Sequence, residues 1–103
     1  MTMSRKTAGA AVLALAAAAA GCASIGRPFP ADQVRSIAAG KTTRDQVQAE
    51  YGRPYRTGLE DGDETWTYLD YKLSLFGPQR TRDLFVRFNA DGTVKSYSFN
   101  SNE

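Results

Sequence analysis

The residues able to do chemistry are few, and their types exclude several classes of site. The chain has no histidine and one cysteine, Cys22, so it lacks the most common general base, the usual transition-metal ligand sets and any internal disulfide. The single carboxylate cluster, Asp61-Gly62-Asp63-Glu64, is too short for the alternating oxygen ligands of a calcium loop and is typical of a solvated turn. We therefore expect no catalytic residue, no metal and no cofactor.

The segment before Cys22 has the order of a secretion signal. Arg5 and Lys6 form a basic head, and an alanine-rich apolar run, Ala8–Ala20, leads to Gly21. This run is shorter than the about 20 apolar residues that span a bilayer, and small residues before a cleavage point are typical of signal peptides. We predict cleavage between Gly21 and Cys22. The alternative is that the segment is retained as a helical anchor.

The position of Cys22 indicates a use for a lone cysteine in an exported protein. The sequence Ala19-Ala20-Gly21-Cys22 resembles a lipobox, in which the cysteine thiol and the new amino terminus receive acyl chains such as palmitate. Each buried methylene of such a chain contributes about 0.8 kcal/mol to membrane binding. Ala23 stands where an aspartate would mark inner-membrane retention, which favours an outer-membrane location facing the periplasm. The alternative is ordinary cleavage that leaves Cys22 as an unmodified thiol.

Removal of the signal changes the charge balance. The chain has 13 lysines and arginines and 11 acidic residues, and two of the basic residues, Arg5 and Lys6, lie in the signal. The part that remains is neutral, so its charge gives no reason to expect nucleic acid as a partner.

The chain divides into three parts. These are a signal peptide (1–21), the lipidated cysteine with a tether (22–31), and one small domain (32–103). Gly26, Pro28 and Pro30 are expected to keep the tether free of regular structure.

Two short helices are predicted at the start of the domain. The first covers Asp32–Ala39 and stops at Gly40. The second begins at Thr43, which forms a capping box with Gln46, and ends at Gly52. Their apolar residues recur at three- and four-residue spacing, so each helix has one face to bury.

Alternating apolar residues predict three strands after the helices, with a turn-rich acidic loop at Gly58–Asp63 before them. The strands are Thr65–Leu75, Arg82–Asn89 and Thr93–Phe99. Trp66 and Tyr68 share a strand face and are expected in the core. The predicted fold is therefore α+β, with two N-terminal helices packed on a three-stranded antiparallel meander (ααβββ).

The candidate contact residues lie at the end of the first of these strands. Leu75 and Phe76 reach a loop between Lys72 and Arg80. If exposed, the two apolar side chains would form a protrusion that binds a partner or a membrane. The alternative is that they are buried in the core. Arg80 and Arg82 either keep a strand edge solvated or contact acidic lipid headgroups.

The order of these elements resembles the SmpA/OmlA (BamE-like) family of outer-membrane lipoproteins. The matching segments are Ile37-x-x-Gly40-x-Thr42, Val47, Gly52-x-Pro54, Trp66-x-Tyr68, Leu84-x-Val86-x-Phe88 and Gly92-x-Val94. The resemblance implies an ααβββ fold and a non-enzymatic role at the outer membrane. It also implies contact with subunits of the β-barrel assembly machinery and with the anionic phospholipid phosphatidylglycerol. The family's longer binding tract before the first helix is represented here only by Arg27-Pro28.

Two further functions remain open at this stage. Other members of the family are small stress-type envelope lipoproteins, which maintain the membrane without stable contact with the barrel-assembly machinery. The fold also resembles half of the β-lactamase inhibitor protein, which would make the domain an inhibitor of a hydrolase.

Overall fold

The computed structural model describes residues 22–77 and 79–103. The predicted signal peptide, including Gly21, lies outside the described residues. The described elements, in chain order, are β1 (Cys22–Gly26), a 3-10 helix (Ala31–Ser36), α1 (Arg44–Tyr51), β2 (Arg56–Glu60), β3 (Asp63–Ser74), β4 (Arg80–Phe88) and β5 (Val94–Ser101).

The five strands form one antiparallel sheet with β3 at its centre. On one side of β3 the order continues through β4 to β5. The other side is shared, because β2 pairs with Asp63–Thr67 and β1 pairs with Asp70–Ser74. The strands β1 and β2 therefore follow one another along the same edge of β3.

The predicted ααβββ fold is wrong in its helices and in its strand count. The described chain has one α-helix, one 3-10 helix and five strands. The first predicted helix is a six-residue 3-10 helix that ends at Ser36, and the backbone of the next residue, Ile37, is already extended at ψ 121°. Pro30 supplies no side-chain cap, and so short a segment cannot offset the unfavourable nucleation of an α-helix.

The predicted tether is also different, since Cys22–Gly26 forms β1. The long strand β3 extends past β2 and leaves the backbone groups of Asp70–Ser74 in need of partners. Cys22–Gly26 supplies those partners before the prolines begin. Gly26 then turns the chain at φ 73° with its Cα against the Leu69 carbonyl, where an added Cβ would clash.

The acidic segment predicted as a loop contains the last three residues of strand β2. Gly58 to Glu60 pair with β3, and only Asp61 and Gly62 form the turn. Both turn residues have positive φ, 50° and 85°, as two-residue hairpin turns of the I′ type require. The acidic composition led to the prediction of a loop, whereas the segment is part of a β-hairpin.

Helix α1 and the later strands follow the sequence prediction. Thr43 and Gln46 form the predicted capping box, and the helix ends at Gly52 with φ 80°. The capping box satisfies two backbone N–H groups that would otherwise lack partners at the start of the helix. Val47 and Tyr51 are buried on its inner face.

The core lies between one face of the sheet and the two helical segments. Trp66 and Tyr68 are buried there, as predicted. Trp66 meets Phe88 edge-on with ring centroids 4.8 Å apart, an arrangement that adds to the stabilisation from burial alone. Val34 of the 3-10 helix and Val47 of α1 complete this layer.

Candidate membrane and partner contact surfaces

The loop between β3 and β4 exposes two large apolar side chains. Leu75 is 76% exposed and Phe76 is 97% exposed. The pairing of β3 with β4 stops at Lys72 and Arg80, and that of β3 with β1 stops at Ser74, so Leu75 and Phe76 lie outside the sheet. Of the two arrangements left open by the sequence, the structure has the exposed one.

Cys22 lies at the same end of the sheet as this loop. The register of β1 on β3 places Cys22 opposite Ser74, the residue just before Leu75. Neighbouring strands are about 4.8 Å apart, so the backbone at Cys22 is close to the base of the loop. The sequence motif for lipidation and the exposed apolar loop, which lie far apart in the chain, are neighbours in the fold.

An apolar strip leads from this sheet end along the face opposite the core. Strand alternation and register place its members on one face. They are Ala23, Ile25, Leu69, Tyr71, Leu73 and Phe85. Ala23 is exposed and the others are half-buried, whereas both described helical segments pack on the opposite, core-facing side of the sheet.

The two candidate arginines have different surroundings. Arg80 Nη2 lies 3.2 and 3.1 Å from the two carboxylate oxygens of Asp70, a residue only 2% exposed. Arg82 forms its ion pair at 2.8 Å with Glu103, near the exposed end of the chain. The hydrogen bond from Arg82 lowers the pKa of Glu103. Each arginine is therefore held by an internal carboxylate, while Lys72 forms no ion pair within residues 22–77 and 79–103.

The acidic cluster is part of a network of internal ion pairs. Asp63 accepts hydrogen bonds from Arg87 and Lys95, both at 2.9 Å, and these hold its pKa below the ordinary range. Glu64 pairs with Arg44 at 3.0 Å. Within the described ranges, no group of three or more potential ligands could hold a metal ion. Through these ion pairs the carboxylates of β3 connect this strand to β4, to β5 and to α1.

Sequence reasoning missed a cleft of about 350 Å³ beside α1. Its lining residues come from the segment after β1, the segment after α1, and β3. They are Gly26, Arg27, Phe29, Tyr51, Arg53, Pro54, Tyr55, Tyr68 and Leu69. Arg27 Nη2 donates a hydrogen bond to the Arg53 carbonyl at 2.6 Å, which joins the two segments, and Tyr55 is 55% exposed at the rim.

The inner wall of the cleft is aromatic and neutral at physiological pH. Burial raises the pKa of Tyr51 and that of Tyr68 to about 12. The Tyr68 hydroxyl donates to the Gly52 carbonyl at 2.8 Å, whereas the buried Tyr51 hydroxyl has no hydrogen-bond partner in the part of the chain that is described. The rim carries positive charge, because Arg27 and Arg53 form no ion pair with any described carboxylate. This arrangement suits an acidic or aromatic segment of a partner.

Local sequence patterns carried no signal for this cleft. Arg27 and Arg53 are distant in the chain, and only the turn at Gly26 and the end of α1 bring them together. The Gly52-x-Pro54 spacing marked the end of the helix but not the surface beside it.

Within residues 22–77 and 79–103, the helices lack the length and the hydropathy of a membrane-spanning segment. Among known protein families, the model of the outer membrane protein assembly factor BamE domain matches residues 26–98. No curated protein matches the chain.

Proposed function

This chain belongs to the outer membrane protein assembly factor BamE domain family, and on that premise we propose that it is a lipid-anchored, non-enzymatic binding module of β-barrel protein assembly. The observation that carries the proposal is the extent of the match. Residues 26–98 run from the end of β1 into β5, so the match covers nearly the whole described domain rather than one motif. The family resemblance read from the sequence is thereby confirmed.

The proposed anchor is a covalent lipid on Cys22, in the outer membrane and facing the periplasm. Its support is the sequence alone: the basic head, the short apolar run and the small residues before Cys22. Several acyl chains would hold the protein durably, since one chain gives only marginal binding. No cofactor is part of the proposal.

The proposed protein contact is the cleft beside α1. Clefts of this size accept one or a few side chains of a partner, and tyrosine and arginine are the residue types that most often dominate binding energy at interfaces. The rim offers Tyr55, Arg27 and Arg53, and the positive charge of the two guanidinium groups favours an acidic partner segment. The partner is a subunit of the barrel-assembly machinery.

A second candidate function is a stress-type envelope lipoprotein without stable contact with that machinery. The observation that favours it is the loss of the expected tether, since Cys22–Gly26 is part of the sheet. A free ten-residue tether could span about 35 Å, whereas a domain that starts at its lipid reaches only partners at the membrane surface.

A mild-detergent affinity purification of the lipidated protein tests the proposal. The parent is compared with a Tyr55→Ala/Arg53→Ala variant and with Leu59→Ala, which removes a side chain that is 78% exposed near the turn of the β2–β3 hairpin and does not line the cleft. We expect barrel-assembly subunits with the parent and with Leu59→Ala, and at least a tenfold loss with the cleft variant.

Recovery of no assembly subunit with the folded parent would refute the assembly role. In that case a deletion strain distinguishes the remaining candidate. Normal barrel-protein levels together with raised detergent sensitivity would support the stress-type function.

A further inference from the structure

We propose that the β3–β4 loop is a second membrane anchor, which inserts Leu75 and Phe76 into the bilayer beside Cys22 and so fixes the orientation of the domain. The inference rests on the proposed attachment of Cys22 to the membrane. It adds a surface, an occupant and an orientation to that function. The occupant is the headgroup and outer acyl region of a phospholipid bilayer.

The first argument is the position of the loop relative to Cys22. Cys22 is opposite Ser74 in the β1–β3 register, and Leu75 and Phe76 follow at once. A strand spacing of about 4.8 Å and a rise of about 3.3 Å per residue keep both side chains within roughly 15 Å of the Cys22 backbone. A bilayer that holds Cys22 is therefore within reach of the loop.

The second argument is the chemistry of the loop. Phe76 and Leu75 are 97% and 76% exposed, and transfer of such side chains from water to hydrocarbon is favourable. Leu75 and Phe76 lie outside the strand pairing, and backbone without such pairing does not enter the hydrocarbon, so only the side chains insert and the backbone stays among the headgroups. Lys72 is exposed at the same sheet end, where its ammonium group can meet anionic headgroups.

The third argument distinguishes a bilayer from a protein partner. Stable protein interfaces bury about 800 Å² on each partner, and a tip of two side chains is far smaller than that. Ala23 and Leu73 extend the apolar surface back along the outer face, but a protein that bound this corner would have to share it with the bilayer that holds Cys22. A fluid bilayer requires no complementary shape, and it can hold Cys22 and cover the exposed loop at the same time.

Insertion of this loop would set the direction of the whole domain. Strand β3 has 12 residues and is roughly 40 Å long at 3.3 Å per residue. The β2–β3 turn, with the exposed Leu59 of β2 close to it, would lie at the periplasmic end. The cleft lies beside the middle of β3, which would place it at a distance from the bilayer where a membrane-bound subunit can reach it.

The test measures the depth of labels in vesicles that contain the full lipidated protein. Acylation blocks Cys22, so Phe76→Cys supplies one free thiol for an environment-sensitive fluorophore. Leu59→Cys is the matched control, because Leu59 is 78% exposed at the other end of the sheet. Vesicles of phosphatidylethanolamine and phosphatidylglycerol carry bromine on the outer or middle acyl carbons.

We expect bromolipids to quench the label at position 76 at least threefold more than the label at position 59, most strongly from the outer acyl carbons. Equal access of both labels to an aqueous quencher would overturn the inference. Protection of position 76 from water without quenching by any bromolipid would also overturn it, in favour of a protein contact.

Intact-mass measurement of the same sample separates this failure from failure of the proposed function. If the protein is acylated but the label at position 76 faces water, the loop anchor is refuted and the assembly role is unaffected. An unacylated protein removes the anchor and the inference together. If the affinity purification recovers no assembly subunits while the label at position 76 is still quenched, only the assembly role is refuted.

Discussion

Replacing Arg80 with alanine should destabilise the domain far more than replacing Arg82, although the sequence presents the two residues as equivalent. The guanidinium of Arg80 neutralises Asp70, whose carboxylate is 3% exposed at the side chain. Without Arg80 this carboxylate would remain buried beside the core without an ion-pair partner, with only the charge of Arg82, which pairs with Glu103, nearby. Arg82 pairs with Glu103, whose side chain is 51% exposed, so loss of that pair leaves a solvated carboxylate.

The expected magnitudes follow from these exposures. Removal of one partner of a buried ion pair costs about 3–5 kcal/mol. The Arg80 side chain is 31% exposed, so water can enter its place, and we expect about 2–3 kcal/mol for Arg80→Ala. An exposed pair contributes at most about 1 kcal/mol, which is the limit for Arg82→Ala. In a domain of this size the first change corresponds to a fall in Tm of roughly 10–20 °C.

Thermal and urea unfolding followed by circular dichroism measure these differences. A double variant, Asp70→Asn with Arg80→Ala, supplies the control, because it removes the unpaired charge and should recover at least half of the lost stability. If Arg80→Ala and Arg82→Ala have the same unfolding midpoint, or if the double variant recovers nothing, the reasoning from burial is wrong.

Three further predictions concern the core, the first strand and the cleft. Phe88→Ala removes a fully buried ring that packs on Trp66. It should lower the free energy of unfolding by about 3–5 kcal/mol and shift the emission of this single tryptophan to longer wavelength. Unchanged emission would contradict the packing. Gly26→Ala forces a side chain against a backbone carbonyl at positive φ, so hydrogen exchange in β1 should rise at least tenfold while β4 keeps its protection; equal protection would contradict the turn geometry. The pKa values of Tyr51 and Tyr68 are raised to about 12, so the unfolded chain loses these two protons at lower pH than the folded chain does. The stabilisation that they contribute is therefore complete below about pH 10 and is lost as pH rises toward 12. Absorbance titration at 295 nm should show two tyrosines that ionise late, and ionisation of all five tyrosines near pH 10 would refute this prediction.

The features that could be predicted from the sequence are those that depend on near neighbours. Thr43 and Gln46 are three residues apart, so the capping box is readable without knowledge of the fold. The alternation of Leu84, Val86 and Phe88 likewise identifies one face of β4 before its partners are known, and all three are fully buried.

The features that could not be predicted depend on partners distant in the chain. Cys22–Gly26 has no strand pattern of its own and is a strand because β3 leaves an edge unpaired there. Leu75 and Phe76 read equally well as core or as surface, since composition alone does not say where the pairing of β3 with β4 ends. The family resemblance pointed to Arg27, but no local pattern indicated that Arg53 lies beside it to form a cleft, because the two residues are far apart in the chain.

By itself, the sequence determined helix α1 and the buried face of the sheet, since each is encoded by spacing within a few residues. It also determined the family, which is encoded by the order of short motifs along the chain, whereas lipidation of Cys22 stays a prediction. Only the tertiary structure decided that the expected tether is a strand, that the apolar loop lies beside Cys22, and that Arg80 has a buried partner while Arg82 has an exposed one. The physical reason is that register and burial result from long-range pairing, in which a residue's role depends on what the fold places opposite it.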